Sequence, residues 1–322
     1  MHSTANPAPP APFVDAALLT RILTPRVALS AVQRFFARHR RDEVFVPERI
    51  HLHIPGTGTI GLYMPAATSR HIGVKLAHLM PQRRPNVEAE IFFYEAATGK
   101  LLFWGDGKPL TALRTAAMSA AGALRLLPAC RRLVVFGNGV QAAAHILAFA
   151  EAYPDLETIE AVTRGEAAVA QLKAQLPGAL ARRVSGPADP ALALPRADCI
   201  VTTTPAPAPI FDPALLPDRC HIAAIGSAAP AMNEIAPAVF RSTRVWLDTR
   251  NALKEAGDCR AALQAGWRED EPAGDAFDLL GPQAPPAGTG RTMFKTVGHA
   301  AQDLALLLAL WEVLQAEWLA PR

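Results

Sequence analysis

One stretch constrains the fold of this 322-residue chain more than any other, "RLVVFGNGVQAAAH" at residues 132–145. Its apolar run predicts a buried strand, Gly137 and Gly139 predict a tight turn, and the alanine-rich segment from Val140 predicts a helix. In a dinucleotide site the first glycine makes the turn, the second lets the backbone approach a pyrophosphate, and a small residue, here Ala142, lets helix and strand pack closely. A plain glycine turn is the alternative interpretation, but the strand before the turn and the helix after it favour a dinucleotide site.

Four further apolar runs follow this motif. They are short, continuously apolar and separated by helix-like stretches, which is typical of parallel strands covered on both faces. The sequence therefore predicts an α/β fold with a Rossmann-type, doubly wound parallel sheet that begins near residue 128. The four runs are "TIEAV" (158–162), "CIVTTT" (199–204), "HIAAIGS" (221–227) and "RVWLDT" (244–249).

The residues before the motif show a different pattern. Apolar residues recur at helical spacing over 13–41, with a break at Pro25, and strand-like runs follow in which Gly61 and Pro65 mark a turn or an edge. No predicted helix interrupts these strands, so they indicate an antiparallel sheet. A last amphipathic helix is predicted over about 298–319. The predicted strands lie at 44–55, 58–67 and 71–80 and in a hairpin at 88–107.

Composition excludes several classes of function. Half of the residues are apolar, 19% are charged, and the net charge of +3 is dispersed, so no nucleic-acid-binding surface is indicated. Residues 1–12 lack the regions of a signal peptide and predict a disordered tail. The longest apolar run, residues 304–311, is far shorter than the ~20 residues that span a bilayer. We expect a cytoplasmic protein that has neither nucleic acid nor a membrane as a partner.

The cysteines are widely spaced and include no CxxC pair. This spacing argues against a zinc site and against a disulfide framework, so we predict buried, reduced thiols and no metal. The four are Cys130, Cys199, Cys220 and Cys259.

The end of the second parallel strand bears on the choice of dinucleotide. NAD sites usually place an acidic residue there to accept from the ribose 2′-hydroxyl, whereas this chain has Thr163 and Arg164. A guanidinium can pair with a 2′-phosphate through two hydrogen bonds, so NADP(H) is favoured over NAD(H). A solvated surface arginine is the alternative interpretation. A later strand ends in Thr202, Thr203 and Thr204, whose hydroxyls would edge the cofactor, although β-propensity alone also explains threonines there.

Four motifs together resemble the ornithine cyclodeaminase and mu-crystallin family. The resemblance implies a homodimer with a substrate-binding and dimerisation domain (13–127 plus 294–322) into which the Rossmann-type domain (128–293) is inserted. The motifs are "LTALRTAAMSAAGAL" (110–124), "GNGVQAAAH" (137–145), "AAIGSAAPAMNEI" (223–235) and "TMFKTVGHAAQDLA" (292–305).

The family holds the carboxylate of an amino or imino acid with cationic side chains. By the resemblance these are Arg49, Lys75 and Arg114, with Lys75 as the catalytic residue, because a buried lysine can supply charge or a proton near the substrate nitrogen. An exposed strand residue is the alternative for Arg49. Val297 is implied to line the substrate. The implied cofactor-binding residues are Arg114, Thr115, Gly137, Gly139, Val140, Gln141, Thr163, Arg164, Thr202, Thr203, Thr204, Gly226, Ser227 and Thr296.

The chain departs from the pattern of the cyclodeaminases and their relatives in two respects. Ala228 and Met232 stand where those enzymes have an aspartate and a lysine, and neither side chain can transfer a proton. Glu90 stands where relatives often have a threonine near the substrate; it either turns away or faces the amine or imine. His78 is more typical of a structural or exposed histidine, and Asp303 of a structural family position.

These departures favour the mu-crystallin-like branch. The resemblance then implies an NAD(P)H-dependent reductase of ketimine carboxylates such as Δ1-pyrroline-2-carboxylate or Δ1-piperideine-2-carboxylate, giving L-amino acids. Two alternatives stay open. One is an amino-acid cyclodeaminase or an alanine-type dehydrogenase. The other is an NADPH-dependent small-ligand binding protein without catalysis.

Overall fold

The computed structural model describes residues 11–80, 82–83, 87–284, 286 and 289–318. The predicted tail at 1–12 therefore lies outside the described residues except for its last two positions. Within the described part of the chain, two sheets and the helices around them form an α/β fold, which confirms the predicted fold class.

The first sheet has six strands in the order β1-β6-β5-β4-β3-β2. Its strands pair antiparallel except for β1, which lies parallel to β6 at the edge. Three helices accompany it, and the predicted break at Pro25 is the first residue of the second helix, where a missing N–H costs nothing. The elements are β1 (Phe13–Val14), α1 (Ala16–Ile22), α2 (Pro25–Arg38), β2 (Ile50–His53), β3 (Ile60–Ala67), β4 (His71–Leu79), β5 (Val87–Glu95), β6 (Leu101–Asp106) and α3 (Lys108–Leu126).

Two strand predictions in this region need correction. The run 44–55 forms only the four residues of β2, and Phe45 makes a single bridge to Ala67. Gly61 and Pro65 do not form a turn, because both lie inside β3. Pro65 pairs with β4 beyond the end of the β2 pairing, so β3 has a strand neighbour on one side only at that point, where the missing N–H is tolerated.

The second sheet has seven parallel strands in the order β12-β13-β11-β10-β7-β8-β9. The order is that of a doubly wound sheet, in which the chain runs outward from β7 first to one side and then to the other. The elements are β7 (Arg132–Phe136), α4 (Val140–Ala152), β8 (Thr158–Val162), α5 (Glu166–Ala174), α6 (Gly178–Ala181), β9 (Val184–Ser185), α7 (Pro190–Ala193), β10 (Cys199–Thr202), β11 (His221–Ala224), α8 (Pro237–Arg241), β12 (Arg244–Leu247), α9 (Ala252–Glu255), α10 (Gly257–Gln264), α11 (Ala276–Leu280), β13 (Thr292–Lys295) and α12 (Ala300–Trp318).

The short strands β9 and β13 were not predicted from the sequence. The predicted domain boundary between residues 293 and 294 falls inside β13, all four residues of which pair with β11 and β12. After a connection of four residues the chain enters α12, which packs against α2, α3, β3 and β4. The last helix therefore returns the chain from the seven-stranded sheet to the six-stranded one.

Helix α3 lies between the two sheets. It packs against α2 and α4 and reaches both β5 of the first sheet and β11 and β13 of the second. Twelve of its residues are buried, Arg114 among them, and most of these are small, which lets neighbouring helices approach closely. The helix thus carries a buried cation to the junction of the two sheets.

In the described part of the chain, no helix is sufficiently long and apolar to cross a membrane. The four cysteines are buried and free.

Candidate active site

A cleft of roughly 450 Å³ lies between the two sheets. From the six-stranded sheet, cleft-facing residues of β3, β4 and β5 line it, and from the seven-stranded sheet the loops that follow β10, β11 and β13 line it. Ligands of doubly wound sheets bind at this carboxyl edge. Ten of the predicted site residues line the cleft: Arg49, Lys75, Arg114, Thr115, Gln141, Thr203, Thr204, Gly226, Thr296 and Val297.

Lys75 and Arg114 converge on Asp303. The Lys75 Nζ donates to Asp303 Oδ1 at 2.8 Å, and the Arg114 Nε lies 3.2 Å from the same oxygen. All three side chains are at least nine-tenths buried. Burial, joined by the charge of Arg114, lowers the pKa of Lys75 to about 8, although the Asp303 carboxylate opposes this shift. Lys75 can therefore exchange a proton near neutral pH.

Arg49 reaches the same region from the segment before β2. Its Nε donates to Glu255 Oε1 at 3.1 Å and its Nη2 donates to Glu255 Oε2. The same Nη2 also contacts the carbonyl oxygens of Val297 and Gly298, at 3.1 and 3.2 Å. The position of Arg49 is therefore fixed by groups on the side of the cleft that the seven-stranded sheet forms.

Asp248, directly after β12, fixes the segment between β13 and α12. Its Oδ2 accepts from the backbone N–H of Val297 at 3.1 Å and of Gly298 at 2.8 Å, and from the Gln302 amide at 3.0 Å. Gln302 in turn accepts from Arg114 Nη1 at 2.8 Å. The Asp248 carboxylate therefore anchors both a backbone turn and, through Gln302, the Arg114 guanidinium.

Gly298 shows how closely this cluster is packed. Its φ of +89° lies in the left-handed region, and a Cβ there would lie 2.6 Å from Arg114 Nη1. Only glycine meets both requirements, so the turn before α12 can lie directly against the guanidinium.

The charges of this cluster balance. Three cations, Lys75, Arg114 and Arg49, face two carboxylates directly, Asp303 and Glu255, and a third, Asp248, through Gln302 and the backbone. A ligand that brought only a carboxylate would leave a net negative charge in a buried site, which is costly. A zwitterion with a cationic nitrogen beside its carboxylate preserves the balance, so the site suits α-amino or protonated α-imino acids.

The nucleotide side of the cleft has the geometry of a phosphate cradle. Gly137, with a φ of +114°, makes the turn after β7, and a Cβ there would lie 2.7 Å from Thr203 Oγ1. Gly139 directly precedes α4, and a Cβ there would meet no atom within 4 Å. The space in front of the helix N-terminus, where the first backbone N–H groups of α4 are free, is therefore open. Two buried cleft atoms, Gln141 Oε1 and Thr296 Oγ1, have no hydrogen-bond partner among the described residues. These residues fit a bound dinucleotide; no cluster of metal-binding side chains occurs in the described regions.

Apart from Gly137 and Gly139, the predicted cofactor residues outside the cleft fall into two groups. Val140 is the first residue of α4, and Thr163 and Arg164 directly follow β8; Arg164 is exposed, with no partner in the part of the chain that the structure describes. Thr202 and Ser227 are instead fully buried and bonded internally, Thr202 Oγ1 to Glu234 Oε2 at 2.8 Å and Ser227 Oγ to the Met232 carbonyl.

A second buried network holds the loop after β11. Asp258 accepts from the backbone N–H groups of Glu234 and Ile235 and from Lys295 Nζ, the last at 3.1 Å. Burial raises the pKa of the Glu234 carboxyl, although Lys295 opposes the shift. Glu234 also accepts from the Thr204 backbone N–H. The network therefore fixes the edge of the cleft to which Thr204 belongs.

The loop places Ala228 and Met232 in the cleft. These are the positions where the cyclodeaminase pattern has an aspartate and a lysine. Neither side chain can donate or accept a proton, so this side of the cleft offers no second acid–base group.

Of the two interpretations given for Glu90, the register of the sheet supports the one in which it turns away. Lys75 pairs with Ile91, whereas Glu90 pairs with Leu76, and successive residues of a strand face opposite sides. Glu90 therefore lies on the outer face of the sheet, where its Oε2 is 3.8 Å from His78 Nδ1. Neither Glu90 nor His78 lines the cleft.

Sequence reasoning missed four acidic residues of this site: Asp248, Glu255, Asp258 and, as the partner of Lys75, Asp303. Asp248 lies in the run "RVWLDT" directly after the apolar residues, and this position at the carboxyl edge of a strand could have indicated a site residue. Glu255 and Asp258 lie in "KEAGD", where only the fold shows that one meets Arg49 and the other Lys295.

The chain matches a known protein family over most of its length. The sequence model of the ornithine cyclodeaminase/mu-crystallin family matches residues 20–317. The chain is 30% identical over 318 residues to Delta(1)-pyrroline-2-carboxylate reductase 2 of Burkholderia ambifaria, covering 95% of this chain and 96% of the other. It is 30% identical over 321 residues to a Delta(1)-pyrroline-2-carboxylate/Delta(1)-piperideine-2-carboxylate reductase of Azospirillum brasilense, with 95% and 97% covered. The Thermococcus litoralis Delta(1)-pyrroline-2-carboxylate reductase, solved with NADH and L-proline, superposes with a TM-score of 0.87 at 20% identity, covering 95% and 98%.

Proposed function

Because the chain belongs to the ornithine cyclodeaminase/mu-crystallin family, as its motifs predicted, we propose that it is an NADPH-dependent reductase of cyclic or linear ketimine carboxylates. The observation that carries the proposal is the buried convergence of Lys75 and Arg114 on Asp303 at the wall of a cleft that also has a dinucleotide cradle. The substrates are of the Δ1-pyrroline-2-carboxylate and Δ1-piperideine-2-carboxylate type.

The cleft wall beyond Lys75 supports a substrate with an apolar carbon skeleton. We call it the apolar wall. Register places its residues on the same face of the sheet as Lys75, so a ring held by its carboxylate near the cations would lie against hydrocarbon. The wall residues lack a charged side chain that could hold a second carboxylate. They are Ile60, Leu62, Met64, Ala77, Leu79 and Val87.

Different residues of the chain have different roles in the proposed reaction. Bound NADPH supplies the hydride that reduces the C=N carbon. Arg114 and Arg49 hold the substrate carboxylate, which fixes the position of the reacting carbon. Lys75, with a pKa lowered to about 8, keeps the imine nitrogen protonated or supplies its proton. Gln141 and Thr296 would hold the cofactor through their unpartnered oxygens.

Replacing Lys75 tests this assignment. Lys75→Met keeps the length of the buried side chain without its charge, and we expect kcat/KM for Δ1-pyrroline-2-carboxylate with NADPH to fall by about 10²- to 10⁴-fold, the range typical of a general acid. Wild-type kcat/KM should decline as pH rises through about 8, because the active form of Lys75 is protonated and is lost above its pKa.

The same pH series on the variant is the control. If the residual activity of Lys75→Met still declines near pH 8, the decline belongs to a titration of the substrate rather than of Lys75. Full activity in Lys75→Met would refute the proposed role of Lys75. An ammonia assay with L-ornithine and NAD⁺ addresses the cyclodeaminase alternative, against which Ala228 and Met232 stand. Tight NADPH binding without reduction of any imine would support the non-catalytic alternative.

The preference for NADPH rests on Arg164. Its exposed guanidinium follows β8 at the carboxyl edge, and no acidic residue occupies the end of that strand. A 2′-phosphate would pair with it through charge-assisted hydrogen bonds.

Arg164→Ser should raise the KM for NADPH by about 10- to 100-fold, the effect of losing hydrogen bonds to a charged group, and leave the KM for NADH within about twofold. Arg183→Ser is the matched control, since Arg183 is also exposed but precedes β9 at the opposite edge of the sheet. Equal loss with both nucleotides would contradict the proposed preference.

We propose further that the chain forms a homodimer through the outer face of the six-stranded sheet. Large apolar side chains remain exposed there, with Trp104 at 38% and its ring neighbour Phe13 at 52%. Register places Ile50, Leu52 and Phe92 on the same face. Several large apolar side chains exposed on one face are typical of an interface.

Trp104→Glu should shift the protein from dimer to monomer in sedimentation velocity, because it places a charge between the apolar residues Phe13 and Phe92 on this face. Leu192→Glu, which changes an apolar residue that is 68% exposed on α7, should leave the dimer intact. A monomeric wild type would refute the proposal.

A further inference from the structure

The ion pair between Arg49 and Glu255 joins the two sides of the cleft. Arg49 directly precedes β2 of the six-stranded sheet, and Glu255 is the last residue of α9 beside the seven-stranded sheet. The carboxylate takes two donors, Nε at 3.1 Å and Nη2. Both side chains are largely buried, at 13% and 20% exposure. The pair therefore differs from a solvated surface contact, which holds neither side chain firmly.

The remaining donors of Arg49 show what the pair leaves available. Nη2 also donates to the carbonyl oxygens of Val297 and Gly298. Nη1 has no hydrogen-bond partner within the described residues, and Arg49 lines the cleft. A guanidinium is planar, so fixing its Nε and Nη2 edge also fixes the direction of Nη1.

We propose that Glu255 is a positioning residue for substrate binding. It holds the Arg49 guanidinium so that Nη1 is presented to the substrate carboxylate beside Lys75 and Arg114. The inference rests on the proposed function, since it requires a carboxylate ligand in the cleft. Glu255 acts through Arg49 and touches no reacting atom, so its effect belongs to substrate binding rather than to the chemical step.

The chain supplies a matched control for this pair. Lys254 and Glu48 each precede one member of the pair, and they connect the same two segments at 3.7 Å. Their side chains are 79% and 72% exposed, and they do not line the cleft. Removing this second pair takes away a cross-cleft contact without disturbing Arg49.

The experiment measures two quantities on the NADPH-loaded protein. The first is the Kd of L-proline, by calorimetry; L-proline is a ring zwitterion that keeps the charge balance of the site and that NADPH cannot reduce. The second is the steady-state kinetics with Δ1-pyrroline-2-carboxylate. Glu255→Gln should raise both the Kd and the KM by about tenfold or more, the effect of losing a charge-assisted contact. The kcat and the Kd of NADPH should stay within about twofold, Glu255→Asp should recover part of the loss, and Glu48→Gln should match wild type.

Each other result counts against the proposal. An unchanged or lower Kd in Glu255→Gln would mean that Glu255 is dispensable or competes with the ligand. A loss confined to kcat, or an equal loss in Glu48→Gln, would assign the effect to general closure of the cleft. If wild type binds L-proline but does not oxidise NADPH with any imine, the proposed function fails while the Kd series still decides the role of Glu255. A wild type that binds no carboxylate overturns both.

Discussion

The burial of Lys75 and Arg114 is the constraint on which the rest of the structure depends. A buried charge without a partner costs several kcal/mol, so each cation requires a carboxylate at hydrogen-bond distance. Asp303 meets that requirement for Lys75 and lies against Arg114, and it can do so only if β4, α3 and α12 come together. The chain must therefore complete the seven-stranded sheet and return before the site exists. The last helix is part of the site because of this electrostatic requirement.

The same requirement ties the two sheets to each other. Asp248 comes from the end of β12, yet it holds the turn before α12 and, through Gln302, Arg114. Gly298 lets that turn lie against the guanidinium. Because the cations and their partners come from both sheets, the cleft is an assembled site in which neither sheet carries all of the charge balance.

Local signals explain what could be predicted. The glycine turn after β7, the strand–helix alternation and Arg114 in α3 are each encoded within a few residues, where turn chemistry and periodicity act. The fold class and the family were predicted correctly on this basis. The acidic partners could not be predicted in the same way, because Glu255 lies 206 positions from Arg49 and Asp303 lies 228 positions from Lys75. Glu90 shows a second limit, since one residue of register decides which face of a strand a side chain occupies. The two-residue β9 is too short to carry any period.

The apolar wall has a consequence of a different kind. Its residues contribute hydrocarbon contact alone, and those at its outer end, Ile60, Leu62, Leu79 and Val87, are only partly buried. Substituting such residues disturbs neither a buried charge nor a hydrogen bond, so it costs the fold little. The cations, by contrast, belong to a network of buried ion pairs, so exchanging one of them disturbs the pairing of buried charges. Substrate range can therefore diversify along one face of the sheet while the reaction itself is conserved, which makes this wall the evolvable part of the enzyme and the natural place to redesign it.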